Sequence, residues 1–528
     1  MNEGIENGKP CLIETAQGFS VTYSEKFLYS KYDPAKTIVR KVESMEILPG
    51  SVVLGFSAVL DYGLKELLSK LPENSVLLLC EADNDLRYFT AEMAKEENLT
   101  PNSVRLTEQE MYNLPVILQK SSFTFACGKE ISFAGNFRRV IRIDFSAGVQ
   151  FHSDFYNRLE SACIASVKQF WTNRITLAKF GRRYSSNLFR NLKVLSETLP
   201  LESFFRSIEK PVYVFGSGES SEEGIASLKK SPSDVFILCA DTAFPMLKSQ
   251  GIIPDGIVVD EAQSVIAQSF IGARNAVKEA GKKGVHVFQS LCSLPHVGGR
   301  HFPKERTSFY ATEYASNSFF NGLKGSSFFP PVVPAFGSVG ITTYILALLF
   351  RKNDSVPLLV YGLDFAYSTG KTHARGTPAH KRQLRFMNRI RAVENFAASY
   401  GASVLRLPEG MPYPFTTPVL SGYAETFRQV REQGEEISKG ILKITGERKK
   451  SDVSAFIEAE KKALIELRDL LSGRTEMGEA ERSARIRSLL ENRQYLYLHF
   501  PDGYRMSMEL NFLKRVRSEI DGFLKIMG

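Results

Sequence analysis

Short runs of apolar and β-branched residues alternate with amphipathic stretches over most of this chain. In the first block, Val52–Phe56 is followed by a loop, a helical stretch and a second apolar run that stops at Glu81. Strand, turn, helix and strand with a terminal acid is the opening of a Rossmann-like domain. Its first loop, Gly55-Phe56-Ser57-Ala58, lacks the several glycines that let a pyrophosphate approach the backbone. This block, residues 1–150, therefore reads as scaffold or partner surface rather than as a nucleotide or methyl-donor site.

Residues 151–205 read as a helical connector. Ile175, Leu177, Phe180, Leu188 and Leu192 recur at helical spacing, and Arg174, Arg182, Arg183 and Arg190 fit a solvated face. Residues 206–419 show the clearest alternation of strand and helix. The pattern predicts strands at Val212–Phe215, Val235–Ala240, Gly256–Val259, Val285–Gln289 and Ser308–Ala311, with a helix at Ser221–Lys230. A long irregular segment, 312–335, reads as a lid or binding loop whose phenylalanines make core contacts. Then come an apolar helix around Ile341–Phe350, a strand ending at Asp364, a polar loop, a helix over Gln383–Tyr400 and a strand over Ser403–Leu407. From 420 to 528 the pattern predicts charged helices, Ala455–Leu471, Glu479–Asn492 and Met506–Ile526, joined by GERKKSD and SGRTEMG. The fold class expected is α/β: a Rossmann-like N-terminal domain, a doubly wound central domain and a helical C-terminal domain.

Composition narrows the classes. With 528 residues, 43% hydrophobic and 24% charged, the chain has the make-up of a multidomain globular protein. No apolar run approaches the roughly 20 residues that span a bilayer, and the first residues show no secretory pattern, so a cytoplasmic protein is expected. The six cysteines are scattered without a CxxC pair, which suggests neither a disulfide framework nor a zinc site. The net charge of +9 is dispersed rather than gathered on one arm, against a nucleic-acid partner.

The candidate chemistry lies at predicted strand ends. Gly216-Ser217-Gly218-Glu219 joins a strand to a helix, where backbone N–H groups and the helix dipole suit a phosphate. Asp241-Thr242 and Asp260 fall just past the next two strands, the edge where open α/β sheets bind ligands. Ser338 begins the apolar helix. His373 stands in the loop Ser368-Thr369-Gly370-Lys371-Thr372-His373 with Asp364 close in sequence, and imidazole is the usual carrier of a proton near neutral pH.

These stretches resemble a known family. GSVGITTYILALLF followed by VPLLVYGLDFAYSTGKTHARGT, with the earlier VYVFGSGESSEEGIASLKK and ILCADTAFPMLKSQGIIPDGIVVDEAQ, is similar to the motility accessory factor (Maf) flagellin glycosyltransferases over roughly residues 170–420. The resemblance implies a sialyltransferase-like central domain. It also implies transfer of a nonulosonic acid, pseudaminic or legionaminic, from a CMP-sugar to Ser or Thr of flagellin, with no cofactor, no metal and no membrane partner. Carried onto this chain, Gly216, Ser217, Gly218, Glu219, Asp241, Thr242, Asp260 and Ser338 would bind the CMP-sugar. Asp364 would organise the site, and His373, tuned by that acid, would be the base or would donate to the leaving phosphate. Where the family commonly has a GPSL-type turn, this chain has a carboxylate, Glu219, beside the expected anion. The central domain also resembles an archaeal 6-hydroxymethylpterin diphosphokinase, MptE, which implies the alternative of an enzyme using ATP and Mg²⁺. A third class is a flagellin-binding factor with no activity.

Overall fold

The computed structural model describes residues 8–93, 99–120, 122–133, 135–230, 234–273, 284–295, 302–315, 317–390, 395–443, 452–474 and 476–528. The chain forms two compact units, one of residues 1–178 with 500–505 and one of residues 179–499 with 506–528. Both are built on parallel sheets. Among the described residues no helix is long and apolar enough to cross a membrane.

The first unit opens with three antiparallel strands, β1 (Cys11–Thr15), β2 (Gly18–Tyr23) and β3 (Lys26–Phe27). Its parallel sheet runs β6 (Ser103–Arg105), β5 (Val76–Cys80), β4 (Ser51–Phe56), β9 (Arg139–Asp144), and between β6 and β9 the chain forms an antiparallel pair, β7 (Ser122–Thr124) and β8 (Glu130–Ser132). β4 is buried throughout, as its unbroken apolar run requires. The loop after β4 is closed to a phosphate from within. The Tyr29 hydroxyl accepts from the Val59 and Leu60 amides, at 3.1 and 3.0 Å. Glu81, expected at the end of β5, accepts from the Tyr156 hydroxyl and the Asp83 amide, both at 3.0 Å.

The second unit carries a seven-stranded parallel sheet. Its order is β15 (Val332–Val333), β14 (Thr307–Thr312), β13 (His286–Ser290), β12 (Gly256–Val259), β11 (Phe236–Ala240), β10 (Val212–Phe215), β16 (Leu358–Tyr361). From β10 the chain steps outward one strand at a time to β15, then returns to the other side of β10 as β16. The winding reverses between β10 and β16. Alternate side chains feed two cores, as a period of two dictates. Phe215, Cys239 and Val259 pack with the helix Ser221–Lys230 on one face. Val214, Leu238 and Val258 meet the helix Val339–Phe350 on the other. That helix is apolar on every side and buried from Gly340 to Phe350, the solution open to a helix with no polar face.

Three expectations change. The helix expected over Gln383–Tyr400 is not one element: Pro378–Leu384 ends, and a new helix, Phe396–Tyr400, starts where Asn395 accepts from the Ala398 amide. Residues 391–394 lie outside the described residues, and Ile390 is 98% exposed, so the apolar residues here have no common core. The segment 312–335 also holds a helix, Ser318–Lys324, whose Phe319 and Phe320 are buried. The strand expected over Ser403–Leu407 shortens to Leu405–Arg406, paired with Phe415–Thr416 outside the main sheet. Of the helices beyond 420, Asp452–Leu471, Glu479–Glu491 and Leu510–Met527 match the expected runs, while Pro418–Lys443 packs on the buried helix through Phe427 and Tyr344. The connection GERKKSD lies outside the described residues except for Asp452.

The ends of β10 and β16 touch backbone to backbone. A Cβ on Gly216 would fall 2.2 Å from the Gly362 carbonyl oxygen, and one on Gly362 would fall 2.1 Å from the Ser221 hydroxyl. Gly362 is also left-handed, at φ +75°. Gly362→Ala is therefore expected to cost roughly 2–4 kcal/mol, from the left-handed backbone and overpacking together. Urea unfolding of the full chain measures it, and a loss below about 0.5 kcal/mol, the scale of a neutral surface change, would contradict the close approach.

Candidate functional site

Four segments meet at the carboxyl edge where the winding reverses: Gly216–Ser220, Asp241–Thr242, Asp260, and the chain leaving β16. The first contact is backbone to backbone. The Gly216 amide donates to the Tyr361 carbonyl at 2.8 Å and the Gly218 amide to the Gly362 carbonyl at 2.9 Å. Asp364 then closes over the start of the helix Ser221–Lys230. It accepts from the Ser220 amide at 3.0 Å and from the Ser220 hydroxyl, while that hydroxyl accepts from the Gly362 amide at 2.7 Å. The positive helix end is thus met by the chain's own carboxylate. Burial raises the Asp364 pKa, the Ser220 bonds oppose the rise, and Glu219 and Glu223 add to it.

The Gly216–Glu219 loop is accordingly only partly open to an anion. Its Gly216 and Gly218 amides are taken by carbonyls, whereas the Ser217 and Glu219 amides have no partner among the described residues. Glu219 is not directed at a ligand. Both its oxygens accept from the Ser368 hydroxyl at 2.8 Å, one also takes the Ser368 amide at 2.6 Å, and Lys371 lies 3.5 Å away. Lys371 also pairs with Glu222 at 2.8 Å. The Ala374 amide donates to the Ser217 carbonyl at 2.9 Å. The carboxylate that looked misplaced beside an anion is the anchor of the loop bearing His373.

His373 is half-buried, with Nδ1 2.9 Å from the Thr372 hydroxyl. Burial lowers its pKa, and Arg382 and His380 lower it further. No hydrogen bond joins it to Asp364 among the described residues. The expectation of a histidine tuned by Asp364 therefore fails: Asp364 is held by Ser220, and the charges around His373 are cationic.

On the other side of the crevice, Asp241 is 1% exposed, and its Oδ1 accepts from the Thr242 amide at 2.6 Å. Its Oδ2 is buried with no partner among the described residues. Burial, then repulsion from Asp260 and Glu261, pushes its pKa up to about 8 against the opposing Thr242 bond. The Thr242 hydroxyl lies 2.5 Å from that of Ser217, joining the ends of β11 and β10. Asp260 accepts from Thr342 at 3.0 Å and from Thr312 at 3.2 Å. Burial raises its pKa, and these hydroxyls oppose the rise. Ser338 sits at the helix start without a side-chain capping bond, and its hydroxyl has no hydrogen bond among the described residues.

Sequence reasoning missed Ser220, Thr342, Thr312 and Ser368, the hydroxyls that hold the acids. Thr342 carried a readable signal, since a hydroxyl inside an apolar helix needs a buried acceptor. Among the described residues no group of three or more His, Cys, Asp or Glu is placed to hold a metal ion.

Residues 182–370, which contain Asp241, Asp260 and Asp364, match the family model for 6-hydroxymethylpterin diphosphokinase MptE-like proteins. This part of the chain is similar to MptE-like domains. A protein of Treponema pallidum (strain Nichols), described as an uncharacterized protein, is 27% identical over 573 aligned positions, covering 98% of this chain and 95% of that protein. Among solved structures, the MAf glycosyltransferase from Magnetospirillum magneticum AMB-1 aligns at 14% identity with a TM-score of 0.48, over 99% of this chain and 92% of that one. The matched stretch spans β10 to β16, so both sides of the reversal lie within it.

Asp241 makes folding of this domain proton-dependent. With its folded pKa near 8 and the ordinary carboxylate value at 3.8, the folded state binds a proton that the unfolded chain has released between those values. Its contribution is full at low pH and is lost as pH rises through about 8. Asp241→Asn should thus gain stability over the native chain increasingly as pH rises between those limits. Urea midpoints across that range test this, and a pH-independent difference would contradict it.

Proposed function

We propose that this chain is a glycosyltransferase that moves a nonulosonic acid of pseudaminic or legionaminic type from CMP to Ser or Thr hydroxyls of flagellin, in the cytoplasm and without a cofactor. The observation carrying this reading is a pair of long-range links. Thr342 to Asp260 and Ser220 to Asp364, 82 and 144 residues apart, draw the motif segments of the family resemblance to one sheet edge.

The chemistry suits the parts. The donor bears a phosphate and a sugar carboxylate, and the Ser217 and Glu219 amides and the Ser338 hydroxyl offer donors with no partner among the described residues. A protonated Asp241 removes one negative charge from their neighbourhood. Arg382 makes the surroundings of His373 attractive to an anion. In the transfer, the acceptor hydroxyl oxygen bonds to the anomeric carbon as the bond from that carbon to the phosphate oxygen breaks, and CMP leaves with the electron pair. The hydroxyl proton passes to His373, whose lowered pKa keeps it neutral and ready to accept. Asp364 acts as a positioning residue that fixes the loop between β16 and His373.

Flagellin incubated with the protein and a CMP-nonulosonic acid should gain mass in steps of one sugar, with release of CMP. Intact-mass spectrometry reads this, and unchanged flagellin would overturn the proposal. His373→Ala should slow transfer by roughly 10²–10⁴-fold. The acid limb of the native pH–rate profile should lie below 6.5, the ordinary imidazole value, because only the neutral ring accepts a proton. Full activity in the variant would remove His373 from the mechanism.

The matching family description favours a second reading, a diphosphokinase acting on 6-hydroxymethylpterin with ATP. AMP release from ATP in the presence of 6-hydroxymethylpterin, with no change in flagellin, would establish that reading instead.

A further inference from the structure

The edge strand β16 is open on the side away from β10. The Val212 amide donates to the Pro357 carbonyl and the Gly216 amide to the Tyr361 carbonyl, each at 2.8 Å. In a parallel ladder this register turns the backbone of alternate residues, Pro357, Leu359 and Tyr361, toward β10. The N–H and C=O groups of Leu358 and Val360 therefore point outward, and they have no hydrogen bond among the described residues. The side chains of these two residues line a cleft of about 600 Å³.

The cleft has one wall and one end that identify its occupant. Its far wall is the helix Pro418–Lys443, held on the buried helix where Gly434 meets Leu348. That helix runs opposite to β16, with Phe427 against Phe365 at one end and Glu435 paired with Arg351 at the other. Arg351 is neutralised by Glu435 and Asp354, whereas Arg431 is exposed and makes no ion pair among the described residues. Asp364, which follows β16 and belongs to the candidate site, also lines the cleft. An unpaired strand edge facing a narrow cleft is the geometry of strand addition, in which main-chain bonds hold an extended peptide and alternate side chains enter pockets.

We propose that this cleft binds an extended polypeptide segment as an eighth strand beside β16, with an acidic side chain toward Arg431 and a serine or threonine toward the Asp364 end. Resting on the transferase reading above, the segment is the acceptor stretch of the protein to be modified. The strand edge and the helix both line the cleft, and Asp364 lines it as well as belonging to the candidate site.

The test uses the full chain and a fluorescent synthetic peptide of alternating threonine and valine with one central glutamate. Binding is read by anisotropy without any donor sugar, so failure of sugar transfer leaves this measurement standing. Val360→Pro removes an outward N–H and leaves the bonds to β10 in place, a position where an edge strand accepts proline. The expected result is binding to the native chain that weakens about tenfold in Val360→Pro, the scale of one lost hydrogen bond with an orphaned partner. Arg431→Glu should weaken it similarly. A peptide N-methylated at alternate amides should bind about tenfold more weakly to the native chain, so the test survives if the proline variant does not fold. Equal binding by the methylated peptide or by the folded proline variant would overturn the proposal. So would a concentration-dependent dimer in sedimentation that Val360→Pro abolishes, because a second copy of the chain would then be the occupant.

Discussion

The candidate site depends on the contact between the ends of β10 and β16. Two strands that are neighbours in space but distant in sequence leave the sheet with almost no separation, because Gly216 and Gly362 have no side chains to hold them apart. Where winding reverses, connections normally diverge and leave a crevice. Here the floor of that crevice is tied shut by backbone bonds, and Asp364 is drawn over the helix that follows Gly216. A ligand at this edge would meet the free Ser217 and Glu219 amides at the rim of the turn, beside Thr242, Asp241, Asp260 and Ser338, rather than the Gly216 and Gly218 amides taken up in the closure.

That arrangement gives the carboxylates different tasks. Asp364 and Glu219 are fixed to the chain, one by Ser220 and the other by Ser368 and Lys371, and they set the course of the loop holding His373. Asp260 is held by two threonines from separate elements. Of these four, Asp241 is the one with an oxygen that has no partner among the described residues, and burial pushes its pKa up to about 8. Acids that look equivalent as strand-end residues are separated by their hydrogen bonds into groups fixed to the chain and one that is buried with an unpartnered oxygen.

The strands were the legible part of the sequence because their apolar runs are short, bounded and buried on both faces. Val212–Phe215 and Gly256–Val259 coincide with their expected limits for this reason. The buried helix was readable as well, since an apolar stretch of its length has nowhere else to go. What could not be read was pairing. Nothing in the local pattern says that Asp364 would turn to Ser220 rather than His373, or that Glu219 would hold Ser368, because hydroxyl–carboxylate pairs across 144 or 149 residues leave no periodicity. The helix expected over Gln383–Tyr400 failed for a related reason. Its residues have helical propensity, but Phe386 and Ile390 have no core to pack against, and packing decides where propensity is weak.

The order of strands along the chain also orders assembly. β10 through β15 are laid down as successive neighbours, each able to pair as soon as it emerges, whereas β16 must find a partner made long before. Until it does, β10 is itself an open edge, Ser220 lacks its carboxylate, and the loop to His373 has nothing to fasten to. Contacts this distant in sequence form late, since the chain between them must first be ordered. Closure of the site is thereby coupled to completion of the sheet: a chain that has folded only as far as β15 has most of its core and no functional edge.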